Sequence, residues 1–262
     1  SAISSARRVA VVGAGWIGSE VAASARQMGA EVVLVDPAPV PLHRILGDRV
    51  GEVFRRLHAD NGVTLRLGSG VRELGGQKTV EHVVLTDGQI EEADVVVAGV
   101  GVVPRVELAV DAGRHVVNGI VVDHHLETGA PGIYAAGDVA NAWHPHYDRY
   151  VRVEHWANAL NQGPAAARNM LGKNDPYDNL PYFFSDQYDV GMEYAGYATE
   201  WDEVVFRGDV EKREFIAFWV KDGRVLAGMN VNVWDVIDDI QALIHSKTTV
   251  DRDRLANPDV PL

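Results

Sequence analysis

The chain has 262 residues, enough for one large domain or two ordinary ones. Its composition, 47% hydrophobic and 23% charged, is that of a globular protein, and no apolar run approaches the roughly 20 residues of a membrane span. The net charge of −13 disfavours nucleic acid and anionic membranes as main partners. The absence of cysteine excludes disulfides and a dithiol redox pair within these residues. These properties favour a cytoplasmic enzyme.

Apolar runs separated by glycine turns predict an α/β unit in the first part of the chain. Residues 8–12 and 31–36 read as buried parallel strands with a helical pattern between them, and residues 47–60 read as a second helix. Three further strands follow, and the last two form a predicted hairpin around an Asp-Gly turn. This order indicates a doubly wound domain that ends near residue 104.

The second half predicts a different architecture. Residues 118–126 and 132–136 read as short strands, and residues 153–171 read as a helix that an internal Gly-Pro pair must kink or restart. Short alternating strands then indicate an antiparallel sheet, followed by a helix at 233–246. The predicted strands are 193–198, 203–208, 213–220 and 224–231, and the last three, with a turn at 221–223, form the predicted antiparallel sheet.

The segment GAGWIG fits the pattern G-x-G-x-x-G at Gly13, Gly15 and Gly18. In this pattern the first glycine permits a tight turn, the second lets backbone amides approach a pyrophosphate, and the third lets the helix pack on the strand. Asp36 ends the next strand, where an acid accepts a ribose 2′-hydroxyl and repels a 2′-phosphate. This context predicts a nucleotide site rather than glycines used only for packing. The acid favours NAD(H) over NADP(H) as the nucleotide. Arg44 lies just downstream, so the strictness of this preference stays open.

The histidines invite a metal interpretation. Those in question are His124, His125, His144, His146 and His155. No carboxylate or third ligand has convincing spacing, so solvated loop histidines are favoured and no metal is predicted.

Two carboxylates have both an ordinary and a functional interpretation. Glu20, in the helix after the glycine motif, reads as an exposed helix residue on pattern alone. Asp138 follows an apolar run and Gly137 in the segment GIYAAGDVA. A carboxylate at that place caps a helix or is aimed at a ligand hydroxyl, and the residues leave both roles open.

Seven segments together carry a resemblance to a known family. They are RRVAVVGAGWIGSEVAA, ADVVVAGVGVVP, NGIVVD, TGAPGIYAAGDVA, VRVEHWANALNQG, PYFFSDQYDVGMEYAG and DRLANPDVPL. In this order they resemble the FAD/NAD(H)-dependent ferredoxin reductases of oxygenase systems, a class that is putidaredoxin- and rubredoxin-reductase-like and related to apoptosis-inducing factor. The similarity runs over nearly all of the chain.

The resemblance implies an α/β fold in three parts. They are a Rossmann-like NAD(H)-binding domain with a hairpin insertion (1–104), a remnant of a second, FAD-binding Rossmann-like domain (105–172), and an α+β interface domain with an antiparallel sheet (173–262). It also implies that electrons pass as a hydride from NADH to FAD. They then leave singly to an iron–sulfur protein of ferredoxin or rubredoxin type that serves a P450 or ring-hydroxylating oxygenase.

The resemblance also implies roles for individual residues. It assigns to NAD the residues Gly13, Gly15, Trp16, Ile17, Gly18, Asp36, Gly99, Val100 and Gly101, and it places Glu20 and Pro104 near the nicotinamide. It assigns to FAD the residues Gly137, Asp138, Val139, His155, Trp156, Ala157 and Phe184. Asp138 would bond the ribityl chain, and a helix beginning at Val139 would point its amides at the pyrophosphate. Phe184 stands where the family usually has tryptophan.

The resemblance further implies a second strand–glycine loop–helix unit for FAD, roughly one hundred or more residues before the NAD motif. Because the chain has one glycine motif, we expect a C-terminal portion that binds NAD(H) weakly and does not retain FAD. The strand predicted at 133–136 would then lack sheet neighbours. Residues 107–150 would be disordered or would pair with a second copy in a swapped homodimer.

Two other functions stay open at this point. One is an NAD(H)-binding fragment without turnover, and the other is a pyridine nucleotide-disulfide or monodehydroascorbate-type reductase. The chain is acidic, as ferredoxins usually are, so a local basic patch would have to steer such a partner. The candidate patch consists of Arg149, Arg152, Arg168 and Lys173.

Overall fold

A computed structural model of the chain describes residues 2–262. The helices are α1 (Ala2–Ser5), α2 (Trp16–Gln27), α3 (His43–Asp60), α4 (Glu107–Asp111), α5 (Trp156–Met170), α6 (Ile237–Ser246) and α7 (Arg252–Ala256). The strands are β1 (Arg8–Val12), β2 (Glu31–Asp36), β3 (Thr64–Leu67), β4 (Val71–Gly75), β5 (His82–Leu85), β6 (Ile90–Glu92), β7 (Val95–Ala98), β8 (Ile120–Val122), β9 (Ala140–His144), β10 (Arg149–Val151), β11 (Tyr182–Gln187), β12 (Val190–Gly196), β13 (Glu203–Asp209), β14 (Glu214–Lys221) and β15 (Arg224–Val231). Within residues 2–262 no helix is both long and apolar enough to cross a membrane.

The first part of the chain forms a parallel sheet in the order β3-β2-β1-β7. The alanine-rich face of α2 packs on the valines of β1 and β2, which explains why these strands are apolar throughout. A three-stranded antiparallel meander, β4-β5-β6, covers the opposite face. The predicted hairpin is therefore confirmed for β5 and β6. The run at 95–98 was wrongly placed in it, because this run returns to the main sheet as β7, parallel to β1.

Helix α3 has a break at Gly47, the residue at which the sequence predicts that the helix begins. Gly47 has φ 75° and ψ −178°, so a short turn precedes the regular helix. The left-handed region suits glycine, and a Cβ at this position would lie 2.7 Å from Cζ2 of Trp201. The predicted helix start at residue 47 thus coincides with a real break.

The middle segment corrects several predictions. Residues 107–151 form α4, β8, β9 and β10, so the disorder expected there is wrong; β9 pairs with β8 in parallel and with β10 antiparallel. The strand predicted at 132–136 is absent; its Tyr134 makes a single bridge to Glu127 instead. Helix α5 continues as one helix through Pro164, so the restart predicted as one alternative there does not occur.

The C-terminal part is a five-stranded antiparallel sheet in the order β11-β12-β15-β14-β13. The predicted strands correspond to β12–β15, and the turn at 221–223 joins β14 to β15 as expected. Strand β11 was missed. Both faces of the sheet are covered, one by α3 and the other by α6 and α7, so β14 is apolar at nearly every position.

Candidate functional site

The glycine loop between β1 and α2 has three glycines in three different environments. A Cβ on Gly13 would lie 2.3 Å from the Gly99 carbonyl oxygen, and one on Gly18 would lie 1.8 Å from the Gly13 carbonyl oxygen. A Cβ on Gly15 would meet no atom of another described residue within 4 Å. Two glycines therefore permit close backbone packing, while Gly15 faces open space at the start of α2.

Gly15 is also the N-cap of α2, and no side chain caps the helix. The first amides of a helix have no intrahelical acceptor, and the helix dipole makes this end positive. Open space in front of uncapped amides is the arrangement that accepts a phosphate.

Asp36, at the end of β2, is hydrogen-bonded to this loop. Its Oδ2 accepts the backbone N–H of Ala14 at 2.7 Å, and its Oδ1 accepts that of Ala38 at 2.7 Å. An ionised carboxylate has about four acceptor positions, so capacity remains for ligand hydroxyls. Asp36 is half-buried, which leaves it accessible.

The loop after β7 lies beside the glycine loop. Gly99 contacts both Gly13 and Gly18, while Val100 and Gly101 are exposed and Pro104 is half-buried. Ile17 is exposed at the start of α2. The indole of Trp16 points into the protein, away from this surface.

Trp16 contributes its side chain to packing and not to the ligand-facing surface. Its ring meets Phe54 and Phe183 edge-on, with centroids 5.9 and 4.8 Å away. Its Nε1 is buried without a hydrogen-bond partner among the described residues. Only the backbone of Trp16 is left to serve the loop.

Glu20 is not the exposed helix carboxylate that its pattern alone favours. It is half-buried, and its Oε1 accepts the hydroxyl of Ser185, on β11, at 2.6 Å. Gln187 in turn donates from Nε2 to the Ser185 hydroxyl at 3.3 Å. A residue of the C-terminal sheet is thus hydrogen-bonded to a carboxylate of α2, the helix that follows the glycine loop.

The predicted FAD-facing residues 137–139 form a 3₁₀ turn. Gly137 has φ 77° and donates its N–H to Oε1 of Gln162 at 2.8 Å. The Asp138 side chain is exposed and caps no helix, while Val139 is half-buried. The helix expected to begin at Val139 is wrong, because the chain enters β9 at Ala140.

A helix does begin nearby, at Trp156, with His155 as its N-cap and no side-chain cap. Trp156 is 72% exposed and Phe184 is 56% exposed, while Ala157 is half-buried. The His155 ring lies 4.5 Å from that of Phe183, and burial lowers the pKa of His155 to about 4. Uncapped amides and exposed aromatic rings are therefore both present at this end of α5.

One of the predicted solvated histidines is wrongly placed, and two residues of the predicted basic patch have acidic neighbours. His144 is buried on β9, and its Nε2 lies 3.0 Å from the Asn179 carbonyl oxygen, so it is not a solvated loop residue. Across residues 2–262 no group of three potential metal ligands occurs. In the proposed basic patch, Arg152 pairs with Glu154 at 2.6 Å and Arg168 with Asp175 at 3.6 Å, which neutralises half of the patch.

Strand β11 supplies the site residues that the sequence reasoning missed. Side chains alternate along a strand, so Phe183, Ser185 and Gln187 share the face toward α2 while Phe184 points to solvent. In the sequence YFFSDQ three aromatic residues precede three polar ones, so no apolar–polar alternation was there to predict this face.

Two family models match successive parts of the chain. Residues 2–163 match the family described as pyridine nucleotide-disulphide oxidoreductase, and residues 182–262 match the family described as reductase C-terminal. The ferredoxin–NAD(+) reductase component of the anthranilate 1,2-dioxygenase system of Burkholderia cepacia is 42% identical over 98% of this chain and 63% of its own length. Putidaredoxin reductase of Pseudomonas putida is 36% identical over 97% of this chain and 61% of its own length.

Solved structures agree with these matches. The ferredoxin reductase for the CYP199A2 system of Rhodopseudomonas palustris superimposes with a TM-score of 0.93 at 35% identity, covering 97% of this chain and 63% of that one. The chain spans less than two thirds of the length of the relatives cited here. By its family match, its sequence identity and its fold, the chain belongs to the pyridine nucleotide-disulphide oxidoreductase family, with a reductase C-terminal domain.

Proposed function

We propose that this chain supplies the NAD(H) site and part of the FAD-facing surface of an NADH-dependent ferredoxin reductase. In this role the whole protein passes electrons from NADH through FAD to an iron–sulfur protein of an oxygenase or P450 system. The observation that carries the proposal is the glycine loop: Gly15 faces open space at an uncapped helix start, and Asp36 is bonded to the same loop. The printed names of the relatives support the choice of reductase.

The NAD(H) part follows from the chain's own groups. The first amides of α2 bind the pyrophosphate, since nothing else caps them. The free acceptor positions of Asp36 take the adenosine ribose hydroxyls, and its negative charge disfavours a 2′-phosphate. Because β1 lies between β2 and β7, a dinucleotide that starts at Asp36 and crosses the glycine loop reaches Gly99–Gly101 and Glu20.

The FAD part is supported by exposed groups near one another in the fold. Trp156 and Phe184 present apolar rings to solvent, and Asp138 presents an exposed carboxylate. When bound, FAD accepts a hydride and releases electrons singly. In the proposed arrangement Asp138 accepts a ribityl hydroxyl, the rings exclude water from the flavin, and the start of α5 stabilises negative charge.

The experiment uses the purified 262-residue chain. Binding of NAD⁺, NADP⁺ and FAD is measured by calorimetry, and NADH-dependent ferricyanide reduction is assayed with and without added FAD. We expect NAD⁺ to bind more tightly than NADP⁺. FAD binding with ferricyanide turnover supports a reductase, whereas NAD⁺ binding alone assigns this chain to NAD(H) binding without turnover. A chain that binds neither nucleotide contradicts the proposal.

A further inference from the structure

The contact between Glu20 and Ser185 joins two residues 165 positions apart. Ser185 is 2% exposed, and the donor–acceptor distance of 2.6 Å is that of a short hydrogen bond. A buried hydroxyl bonded to a carboxylate is strongly constrained in orientation, because a lost bond would leave a polar group unsatisfied.

The direction of this hydrogen bond is set by Gln187. Its amide Nε2 donates to the Ser185 oxygen, which occupies the acceptor side of that hydroxyl. The Ser185 hydrogen is therefore directed at Oε1 of Glu20. Gln187 is itself 1% exposed, so the arrangement is fixed within the protein and not by solvent.

The other carboxylate oxygen of Glu20 is available. Oε2 makes no hydrogen bond to any residue in the described part of the chain, and Glu20 is only half-buried. Glu20 lies two residues beyond Gly18, which contacts Gly99. This is the β7 side of the glycine loop, away from Asp36, and a carboxylate oxygen there can accept from an amide N–H₂.

We propose that Ser185 is a positioning residue: by holding Oε1 of Glu20, it aims Oε2 at the carboxamide of the nicotinamide ring. The inference rests on the proposed NAD(H) site. It assigns to the C-terminal sheet a role in binding the nicotinamide end of the nucleotide. Gln187 supports the role by fixing the donor direction of Ser185.

The test compares two ligands that differ at the nicotinamide end. Binding of NAD⁺ and of ADP-ribose to the full chain is measured by calorimetry for the unsubstituted protein, Ser185→Ala and Ser185→Thr. ADP-ribose lacks the nicotinamide, so only NAD⁺ affinity depends on the aim of Glu20. We expect Ser185→Ala to weaken NAD⁺ binding about three- to tenfold with ADP-ribose unchanged, and Ser185→Thr to recover most of the loss.

The outcomes separate this inference from the proposed function. If the unsubstituted chain binds neither ligand, the NAD(H) site itself is wrong. If it binds both and Ser185→Ala alters neither affinity, or alters both equally, the positioning role is wrong.

A second variant keeps the inference testable should Ser185→Ala fold poorly. Glu20→Ala should weaken NAD⁺ binding and spare ADP-ribose. Ser185→Cys, a near-isosteric but weaker donor, should weaken NAD⁺ binding in the otherwise unsubstituted chain and add nothing in Glu20→Ala, because the carboxylate that Ser185 positions is gone. Equal loss of both ligands in Glu20→Ala, or an additional loss in the double variant, would overturn the inference.

Discussion

The carboxylate of Asp36 accepts the backbone N–H of Ala14 at 2.7 Å, which binds the end of β2 to the middle of the glycine loop. The acid and the glycines are therefore one structural unit as well as two halves of a motif. Loss of the carboxylate would remove two hydrogen bonds to backbone N–H groups, one of them in the loop, and, with them, the proposed ribose acceptor.

Asp36→Ala should accordingly reduce both affinity and stability. We expect NAD⁺ binding to weaken at least about tenfold and the free energy of unfolding to fall by about 1–3 kcal/mol, since two backbone N–H groups lose a charged acceptor. Calorimetry and urea unfolding measure the two effects. Asp87→Ala is the matched control, because Asp87 also accepts a backbone N–H in a turn but lies away from the loop. Equal effects of both substitutions on NAD⁺ affinity would contradict the assignment.

Two glycine substitutions should separate packing from binding. Gly18→Ala places a Cβ against the Gly13 carbonyl, so we expect a large loss of stability, about 2–4 kcal/mol. Gly15→Ala meets no neighbour at φ −74° and should leave the thermal midpoint nearly unchanged while weakening NAD⁺ binding. Thermal unfolding and calorimetry on both variants check this. Unchanged NAD⁺ affinity in Gly15→Ala would mean that no ligand occupies the open space.

Buried histidines should make the fold sensitive to mild acid. Burial lowers the pKa of both His58 and His155 to about 4, below the ordinary value of 6.5. The unfolded chain therefore binds protons that the folded chain excludes, so stability is complete above pH 6.5 and declines as pH falls toward 4. We expect a loss of about 1 kcal/mol per histidine between pH 7.5 and 5.5, measured by urea unfolding.

The variant His58→Gln tests the origin of that loss. At pH 7.5 its free energy of unfolding should be lower than that of the unsubstituted chain. On acidification this free energy should fall by less, because the variant lacks one histidine that takes up a proton only when the chain unfolds. His115→Gln, at an exposed position, should keep the original pH dependence. If the free energy of unfolding of His58→Gln falls with pH as steeply as that of the unsubstituted chain, other groups cause the acid sensitivity.

The break in α3 predicts a further difference between two glycines of similar φ. Gly47 has φ 75° and Gly68 has φ 76°, but only a Cβ on Gly47 would clash, at 2.7 Å from Trp201. Gly68→Ala should lower the free energy of unfolding by about 1 kcal/mol through backbone strain, and Gly47→Ala should lower it clearly more because the clash adds to the strain. Similar losses in thermal unfolding would show that α3 does not dock on Trp201 as described.

Local pattern was enough to predict several elements. The glycine spacing predicted the turn before α2, the apolar runs predicted β1 and β2, and the alternation after residue 190 predicted strands β12–β15. These features depend on neighbours within a few residues, where backbone conformation and side-chain period are directly coupled. The run at 133–136 failed because a short apolar segment reads as a strand whether or not a partner strand exists.

By itself, then, the sequence determined the position of the glycine loop and of its acid, and the order in which a parallel-sheet unit is followed by an antiparallel sheet. Only the tertiary structure decided that Ser185 holds Glu20, that Trp16 packs inward on Phe183, and that β7 leaves the hairpin for the parallel sheet. Each of these joins segments far apart along the chain. Their pairing depends on which surfaces the folded elements bury against one another, and no local period encodes it.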